Sequence, residues 1–457
     1  MPINTIINKL RYKKILLLGF GKEGKSSYAF IRKYLPQIPI TIANLHELTD
    51  TSAFTNDPNT HLLIGEHYLD TINDYDIVLK SPGISLKNII HLIDRDKISS
   101  QTDLFLQAFS SQCIGVTGTK GKSTTASLIF HILNNLHPNS LLAGNIGIPL
   151  FDIIEQIDSK TKIVLELSSH QLEFIRKSPH ISILLNLFEE HLDHYNSYED
   201  YKLAKFNIAR YQSENDYFIY NTADPQIVFL LNAKPVKSHC IGGFSSELAN
   251  SYVSDSFPLK GKHNLENVAA TIMALSCIED VDIQNIKDFF HSFKPLPHRL
   301  EFIGKFDDIL FYNDSISTIP QASIAAVQAL KNVNTIILGG FDRGIDYQPL
   351  IDFLENSEIE NIIFTGEAGK RMLSLSNNLK DKQLFFKDSY SEIVFLAKKH
   401  TKKGSICLLS PAAASYDQFQ NFEHRGEVFK GLVMIGVRIR GTFPQKCIEL
   451  GKKIRGK

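Results

Sequence analysis

From Gly115 to Thr125 the chain reads Gly-Val-Thr-Gly-Thr-Lys-Gly-Lys-Ser-Thr-Thr, and this stretch narrows the folds open to it. Apolar residues Cys113, Ile114, Gly115 and Val116 approach it as a strand would, and Thr125, Ala126, Leu128, Ile129 and Ile132 continue with helical spacing. A strand, a glycine-rich loop and a helix in that order make a phosphate-binding loop, since the helix start presents unpaired N–H groups to an anion. Gly118 and Gly121 let the backbone wrap that anion without Cβ clashes. Lys122 reaches terminal phosphates, and the Ser123 hydroxyl suits Mg²⁺. Val116 stands where the general motif has its first glycine, which leaves the shorter form G-T-x-G-K-S. The alternative is a plain glycine-rich turn before a helix; the context favours an ATP site over Gly118, Thr119, Lys120, Gly121, Lys122, Ser123 and Thr124.

At 457 residues the chain exceeds one ordinary domain, and roughly 150 residues per domain implies three. A hydrophobic content of 43% with 21% charged residues describes a globular protein with a sizeable core. The formal net charge of zero gives no footprint for nucleic acid or an anionic membrane. Five cysteines, an odd number without C-x-x-C spacing, argue against a disulfide framework or zinc and fit a reducing cytoplasm. The N-terminus lacks a basic segment with a long apolar run, and no stretch of 18 apolar residues occurs. The basic tail Lys446 to Lys457 reads as solvated.

Strand-like runs alternate with helical patterns in three blocks: 1–105, 106–296 and 297–457. The first holds Lys14-Ile-Leu-Leu-Leu-Gly, Ile38 to Ala43 and Asp76-Ile-Val-Leu-Lys-Ser-Pro-Gly83. The second adds Lys162-Ile-Val-Leu-Glu-Leu and Ile181-Ser-Ile-Leu-Leu-Asn-Leu to the phosphate loop. The third has Thr335-Ile-Ile-Leu-Gly-Gly, Asn361-Ile-Ile-Phe-Thr-Gly and Ser405-Ile-Cys-Leu-Leu-Ser-Pro, after a proline-marked linker at 295–297. The expected fold is α/β in three domains, each a mainly parallel sheet with flanking helices: Rossmann-like, P-loop ATPase-like and Rossmann-like. Ligands then lie outside the carboxyl ends of the strands.

Several constellations fall at such ends. Gly19-x-Gly21-x-x-Gly24 follows a strand and opens a helix, but the second strand ends in Asn44 rather than a ribose-binding acid. The pattern leaves open NAD, another diphosphate-bearing ligand, which we favour, and a structural turn. Glu166 ends an apolar strand and can serve a metal or cap the next helix. Asn186-Leu-Phe-Glu-Glu-His-Leu-Asp-His194 brings Glu189, Glu190, His191, Asp193 and His194 to the same edge; His191 is a metal ligand or a hydrogen-bonded structural residue. Without C-x-x-C or H-E-x-x-H, Mg²⁺ is favoured over zinc. Asn264 and Asn267 put two amides one helical turn apart, suited to adenine, although Asn264 is also a good N-cap. Asp314, after the strand Ile309-Leu-Phe-Tyr, can bridge to nucleotide or metal, or sit in a polar Asx turn.

Together G-T-K-G-K-S-T, G-N-I-G, L-E-L-S-S-x-Q-L-E, E-H-L-D, G-x-H-N-x-x-N, P-H-R, N-D-S and L-S-P-A-A-A-S resemble the Mur ligases, the ATP-dependent amino-acid ligases of peptidoglycan precursor synthesis. The motifs run in order from about residue 19 to 426, and some are shared with folylpolyglutamate synthetase. Ser168-Ser-x-Gln171-Leu-Glu173 and Ser410 to Phe419 look most like the members that join glutamate to UDP-N-acetylmuramoyl-L-alanine. The resemblance implies a cytoplasmic, monomeric enzyme of cell wall biogenesis, cell shape and cell division, with small-molecule substrates and neither nucleic acid nor membrane as partner.

It also implies roles. Gly19, Gly21, Lys22, Glu23, Ser81 and Gly83 would bind the UDP moiety, and Asn145 the muramoyl-alanine end. Lys122 would neutralise the γ-phosphate, with Ser123, Glu166 and His191 around one or two Mg²⁺ ions. Asn264, Asn267, Arg299 and Asp314 would hold ATP. Lys205 matches the lysine that such ligases carry as a carbamate, a metal-binding anion; an unmodified exposed lysine is the alternative. The implied reaction passes through an acyl phosphate, with closure of the third domain excluding water.

The amino-acid pocket departs from the common N-D-S-K-A-T: Ile316 replaces the lysine, Ser317 the alanine, and Thr318 stays. Arg343 stands where a lysine often meets the glutamate side chain, and arginine makes that contact in bidentate fashion. Ser415, Tyr416 and Phe422 fall on the remaining pocket positions. N-D-S-I-S-T with G-F-D-R-G also resembles a subgroup that adds L-glutamate, whereas Asp417-Gln-Phe419 resembles the D-glutamate enzymes, which we favour. A ligase for L-alanine or a diamino acid is a further alternative, weakened by the lack of an Asp-Asn-Pro-Arg-like motif. A non-catalytic nucleotide-binding regulator would not need Lys122, Ser123, Glu166, His191 and Lys205 together.

Overall fold

Four apolar residues in a row, as in Ile15–Leu18, make a strand only where both faces are covered, and all four are buried. The computed structural model describes residues 2–435 except 49, 50, 147, 192, 255, 256 and 260. The basic tail from Lys446, Cys447, Gly147 of G-N-I-G and Leu192 of E-H-L-D lie outside the described residues.

Strands β1 (Ile15–Leu18), β2 (Ile40–Asn44), β3 (Thr60–Ile64), β4 (Ile77–Lys80) and β5 (Ile98–Ser99) form a parallel sheet in the order β3-β2-β1-β4-β5. A second parallel sheet, ordered β11-β10-β9-β6-β8-β7, contains β6 (Cys113–Thr117), β7 (Leu141–Gly144), β8 (Ile163–Glu166), β9 (Ile181–Leu184), β10 (Tyr217–Tyr220) and β11 (His239–Gly242). The third sheet runs β12-β13-β17-β14-β15-β16, from β12 (Glu301–Phe306), β13 (Ile309–Asn313), β14 (Val333–Gly339), β15 (Asn361–Thr365), β16 (Gln383–Phe386) and β17 (Ile406–Leu409). Only its edge pair β12–β13 is antiparallel. The α/β class read from the sequence is the one observed. An amphipathic helix Ile3–Leu10, which that reading did not include, precedes β1 and buries Ile6, Ile7 and Leu10.

The described residues fall into two compact units. Residues to Phe257 with Lys262–Phe293 carry the first two sheets; Pro258–Gly261 and the chain from Lys294 carry the third. Within the first unit one apolar cluster runs through both sheets, with Phe30 of the helix Lys22–Tyr34 against Phe151 beside the second sheet (ring centroids 4.4 Å). Polar contacts follow the same seam: Ser26 donates to Asp152 at 2.6 Å, and Gln101 accepts from Leu150 N–H at 2.8 Å.

Candidate active site

The loop after β6 does what its glycines allow. Gly121 caps the helix Lys122–Leu136 at φ +87°, and a Cβ there would lie 2.5 Å from Asn267 Oδ1. Gly118 also lacks room for a side chain, since its Cβ would come 2.9 Å from that of Leu185. The loop is braced from β9 by Asn186, which takes Thr119 N–H on its carbonyl (2.9 Å) and Lys120 N–H on its side-chain oxygen (2.8 Å). Thr119 Oγ1 is 2.9 Å from Tyr201 OH. Lys122 Nζ donates to Gly118 O and Thr119 O, each at 2.9 Å, and so lies across the loop.

Around this loop the other residues gather by topology. Strand β8 neighbours β6, which puts Glu166 one strand away and 1% exposed. Asn145 clamps it, taking Glu166 O with its N–H and donating Nδ2 to Glu166 Oε1, both at 2.8 Å. The other oxygen, Oε2, is buried without a hydrogen bond. The following helix is capped by Ser168, boxed with Gln171, so Glu166 is not its cap.

Lys205 sits on the helix Tyr198–Arg210, started by the Ser197 cap with Glu199 and Asp200 in the first turn, where they suit the helix dipole. One turn after Tyr201, its Nζ lies 4.9 Å from that ring and 2.8 Å from Gly118 O, with the residue 2% exposed. Burial, then the charge of Lys122, push the Lys205 amine well below its ordinary value against Glu190 and Glu166. A buried amine biased toward the neutral form is the opposite of the exposed lysine weighed above.

His191 completes the edge with φ +59°, a left-handed backbone that a non-glycine residue adopts only under constraint. Burial pushes His191 down, opposed chiefly by Glu190. Glu190 in turn holds Lys120 Nζ at 2.5 Å. His170, the unassigned x of the L-E-L-S-S-x-Q-L-E motif, packs on His191 and His194 (centroids 4.7 and 4.0 Å) and stacks on Tyr195. Burial and the neighbouring histidines push it down to about 2. Among the described residues no group of three or more His, Cys, Asp and Glu side chains is placed to hold a metal ion. The donors on this edge are a hydroxyl, one orphaned carboxylate oxygen and one imidazole, and the neighbouring lysine would fit a hard cation only if it carried an anionic modification.

Asn264 and Asn267 lie in the helix Lys262–Leu275, with Asn264 in its first turn rather than ahead of it. Asn267 Nδ2 donates to Asn264 Oδ1 at 3.1 Å, and Thr125 Oγ1 donates to Asn267 Oδ1 at 3.2 Å, which ties the pair to the phosphate loop. On the first sheet Ser81 Oγ donates to Gly19 O at 2.9 Å, so the loop after β1 with Gly19 and Gly21 adjoins the loop after β4 with Ser81 and Gly83, and Lys22 and Glu23 open the helix Lys22–Tyr34 that follows the first of these loops. Gln171 Nε2 reaches across to Glu23 Oε1 at 2.6 Å. Burial raises the Glu23 carboxyl above its usual range.

In the second unit the loops after the adjacent strands β13, β17 and β14 carry Thr318, then Ser415 and Tyr416, then Arg343, and Phe422 opens the helix Phe422–Ile435. The Arg343 guanidinium lies 5.7 Å from the Tyr416 ring centre. Asp314 is 3% exposed and accepts from Ser317, from Ser410 at 2.8 Å and from Leu300 N–H at 3.2 Å. Burial raises it to about 6. The Asx turn is also present, made by Asn313 Oδ1 with Ser315 N–H at 3.2 Å. Arg425, which no motif flagged, is buried and donates to Ser315 Oγ (2.9 Å), Ser315 O (2.8 Å), Ala413 O (3.0 Å) and Ala414 O (3.1 Å).

A phosphate loop, an orphaned carboxylate and a buried lysine on one parallel-sheet edge define a nucleotide-dependent enzyme class. Residues 116–275 match the Mur ligase middle domain. The chain is 30% identical over 448 residues to the UDP-N-acetylmuramoylalanine–D-glutamate ligase of Clostridium kluyveri, covering 93% of this chain and 97% of that protein. It is equally similar, over 447 residues and the same shares, to the ligase of that name from Clostridium botulinum. Among solved structures, the UDP-N-acetylmuramate–alanine ligase MurC of Thermotoga maritima shares the fold at 18% identity, with TM-score 0.57, 93% of this chain and 100% of that one. MurF ligase of the same organism, solved with ADP, does so at 17% identity, TM-score 0.55, 94% and 97%. The chain belongs to the Mur ligase family, whose members are ATP-dependent ligases that form amide bonds. Among the described residues no helix is long and apolar enough to cross a membrane.

Proposed function

We propose that this protein joins D-glutamate to UDP-N-acetylmuramoyl-L-alanine with hydrolysis of ATP to ADP and phosphate. The observation that carries the reading is the meeting of Lys122, Lys205, Glu166 and His191 at the loop after β6, in a chain that matches ligases of that name along nearly its whole length. The alanyl carboxylate attacks the γ-phosphorus, the bond to the bridging oxygen breaks, and ADP leaves. Lys122 offsets the repulsion between these two anions. The glutamate amine then attacks the acyl phosphate, phosphate departs, the spare amine proton goes to solvent, and an amide remains.

Lys205 is read as a carbamate, formed when its neutral amine adds CO₂ and releases a proton. Ser123, Glu166, His191 and that carbamate would hold one or two Mg²⁺ ions, which supply positive charge beside the phosphates. Residues 1–105 are read as the UDP-substrate domain, 106–296 as the ATP domain and 297–457 as the amino-acid domain. The roles given to Asn145, Asn264, Asn267, Arg299 and Asp314, and to the glutamate residues Thr318, Arg343, Ser415, Tyr416 and Phe422, belong to the same reading. So do a cytoplasmic location and a monomeric state. Ile316, Ser317 and Arg343 favour a second reading in which the isomer is L-glutamate.

Phosphate release from ATP should require both UDP-N-acetylmuramoyl-L-alanine and glutamate, and product formation with each isomer offered separately decides between the readings. Equal release without the UDP substrate would overturn the assignment.

A further inference from the structure

Lys80 ends β4, directly before the Ser81-Pro-Gly83 turn, and its side chain is 1% exposed. A buried ammonium is costly unless it is paired. Its partner is Glu173, whose Oε2 lies 3.2 Å from Lys80 Nζ and 3.2 Å from His194 Nε2. The backbone at Glu173 is held as well. Asn207 Nδ2 donates to Leu172 O at 3.0 Å and to Glu173 O at 3.4 Å, from the helix that carries Lys205.

On the other side, Ser81 N–H donates to Leu18 O at 2.8 Å, and its hydroxyl to Gly19 O, so the residue after Lys80 is tied to the Gly19 loop. The Gln171–Glu23 hydrogen bond runs beside this ion pair. Lys80 and the Glu173 carboxylate thus link the ligand loops of the first sheet to the turn bearing His191 and His194, and the Glu173 backbone adds the helix of Lys205. Buried ion pairs add little net stability over an apolar pair of the same size, but they tolerate a narrow range of geometries. That combination suits a spacer better than a staple.

We propose that Lys80, through Glu173, is a positioning residue that sets the offset between the ligand loops of the first sheet and the phosphate edge of the second. A substrate gripped at its nucleotide end then presents its far carboxylate to the loop Gly118–Lys122. Lys80 itself touches no reacting atom. The inference rests on the reaction proposed above and adds to it the element that measures the distance.

The test is steady-state kinetics of the full chain carrying Lys80→Met/Glu173→Gln, which removes both charges and leaves the glutamine oxygen to accept from His194. Glu173→Gln alone is the second variant. The substrates are UDP-N-acetylmuramoyl-L-alanine, glutamate and ATP, with circular dichroism and the unfolding midpoint read in parallel. A small displacement of a bound reactant lowers kcat by about 10–100-fold while KM for ATP stays within about twofold. A folded variant with kcat within about threefold of the unsubstituted chain would overturn the role. A common fall of kcat, ATP affinity and unfolding midpoint would make the pair merely structural, and overturn it too. An unsubstituted chain that forms no product would overturn the reading of the reaction, and the positioning role with it.

Discussion

Lys205 Nζ lies 2.8 Å from the carbonyl oxygen of Gly118, so a buried lysine touches the loop read as the phosphate grip. Lys205 and Lys122 therefore share one loop carbonyl, and burial together with the charge of Lys122 favours loss of the Lys205 proton. A neutral amine is what CO₂ needs. Replacing that amine by its carbamate would turn a repulsive pair into an attractive one.

Lys205→Ala is accordingly expected to lower kcat by about 10²–10³-fold, with partial recovery on adding short carboxylic acids. Because protonation blocks carbamate formation, activity of the unsubstituted chain should fall as pH drops, and the variant should lose that component. Full activity in Lys205→Ala would disprove the modification.

Gly121→Ala tests the loop itself. A left-handed alanine costs about 1–2 kcal/mol, and its methyl would meet Asn267 Oδ1. The KM for ATP should rise about tenfold or more, and a nucleotide-binding titration should show the same loss.

Asp314 gives a pH-dependent stability. Its folded value of about 6 lies above the unfolded value near 3.9, so the folded chain binds the extra proton between them. The contribution is fully present below the unfolded value and lost as pH rises through the folded one. It amounts to about 3 kcal/mol. Asp314→Asn should remove this component, so that the gap between the two unfolding midpoints changes from about pH 4 to pH 7.

Arg343→Ala addresses the amino-acid loop. Charge-assisted hydrogen bonds contribute about 1.5–3 kcal/mol, so KM for glutamate should rise about 10–100-fold with KM for ATP unchanged. An unchanged KM for glutamate would move the carboxylate site away from the Arg343–Tyr416 pair.

The phosphate loop was legible because its strand, glycines, lysine and helix are contiguous, and each acts through local backbone geometry. Glu166 was legible for a similar reason, as an acid ending an apolar strand. Lys205 came from resemblance alone, since nothing in Tyr-Lys-Leu-Ala-Lys-Phe announces burial. Asn186, His170, Lys80 and Glu173 were missed as partners because their meaning lies in contacts between segments separated in the chain. Arg425 shows the limit most clearly: no local pattern marks it, yet on the helix Phe422–Ile435 it is buried and donates to the backbone of Ala413, Ala414 and Ser315 and to the Ser315 hydroxyl.

Arg425 also carries a lesson for transplantation. The Asn313–Thr318 and Ser410–Phe422 segments hang from one guanidinium planted on a third element. Grafting either segment alone from a relative with another amino-acid preference would import side chains but not the peg that shapes them. A specificity swap in this protein is therefore a three-part exchange, in which the quiet helix travels with the two conspicuous loops.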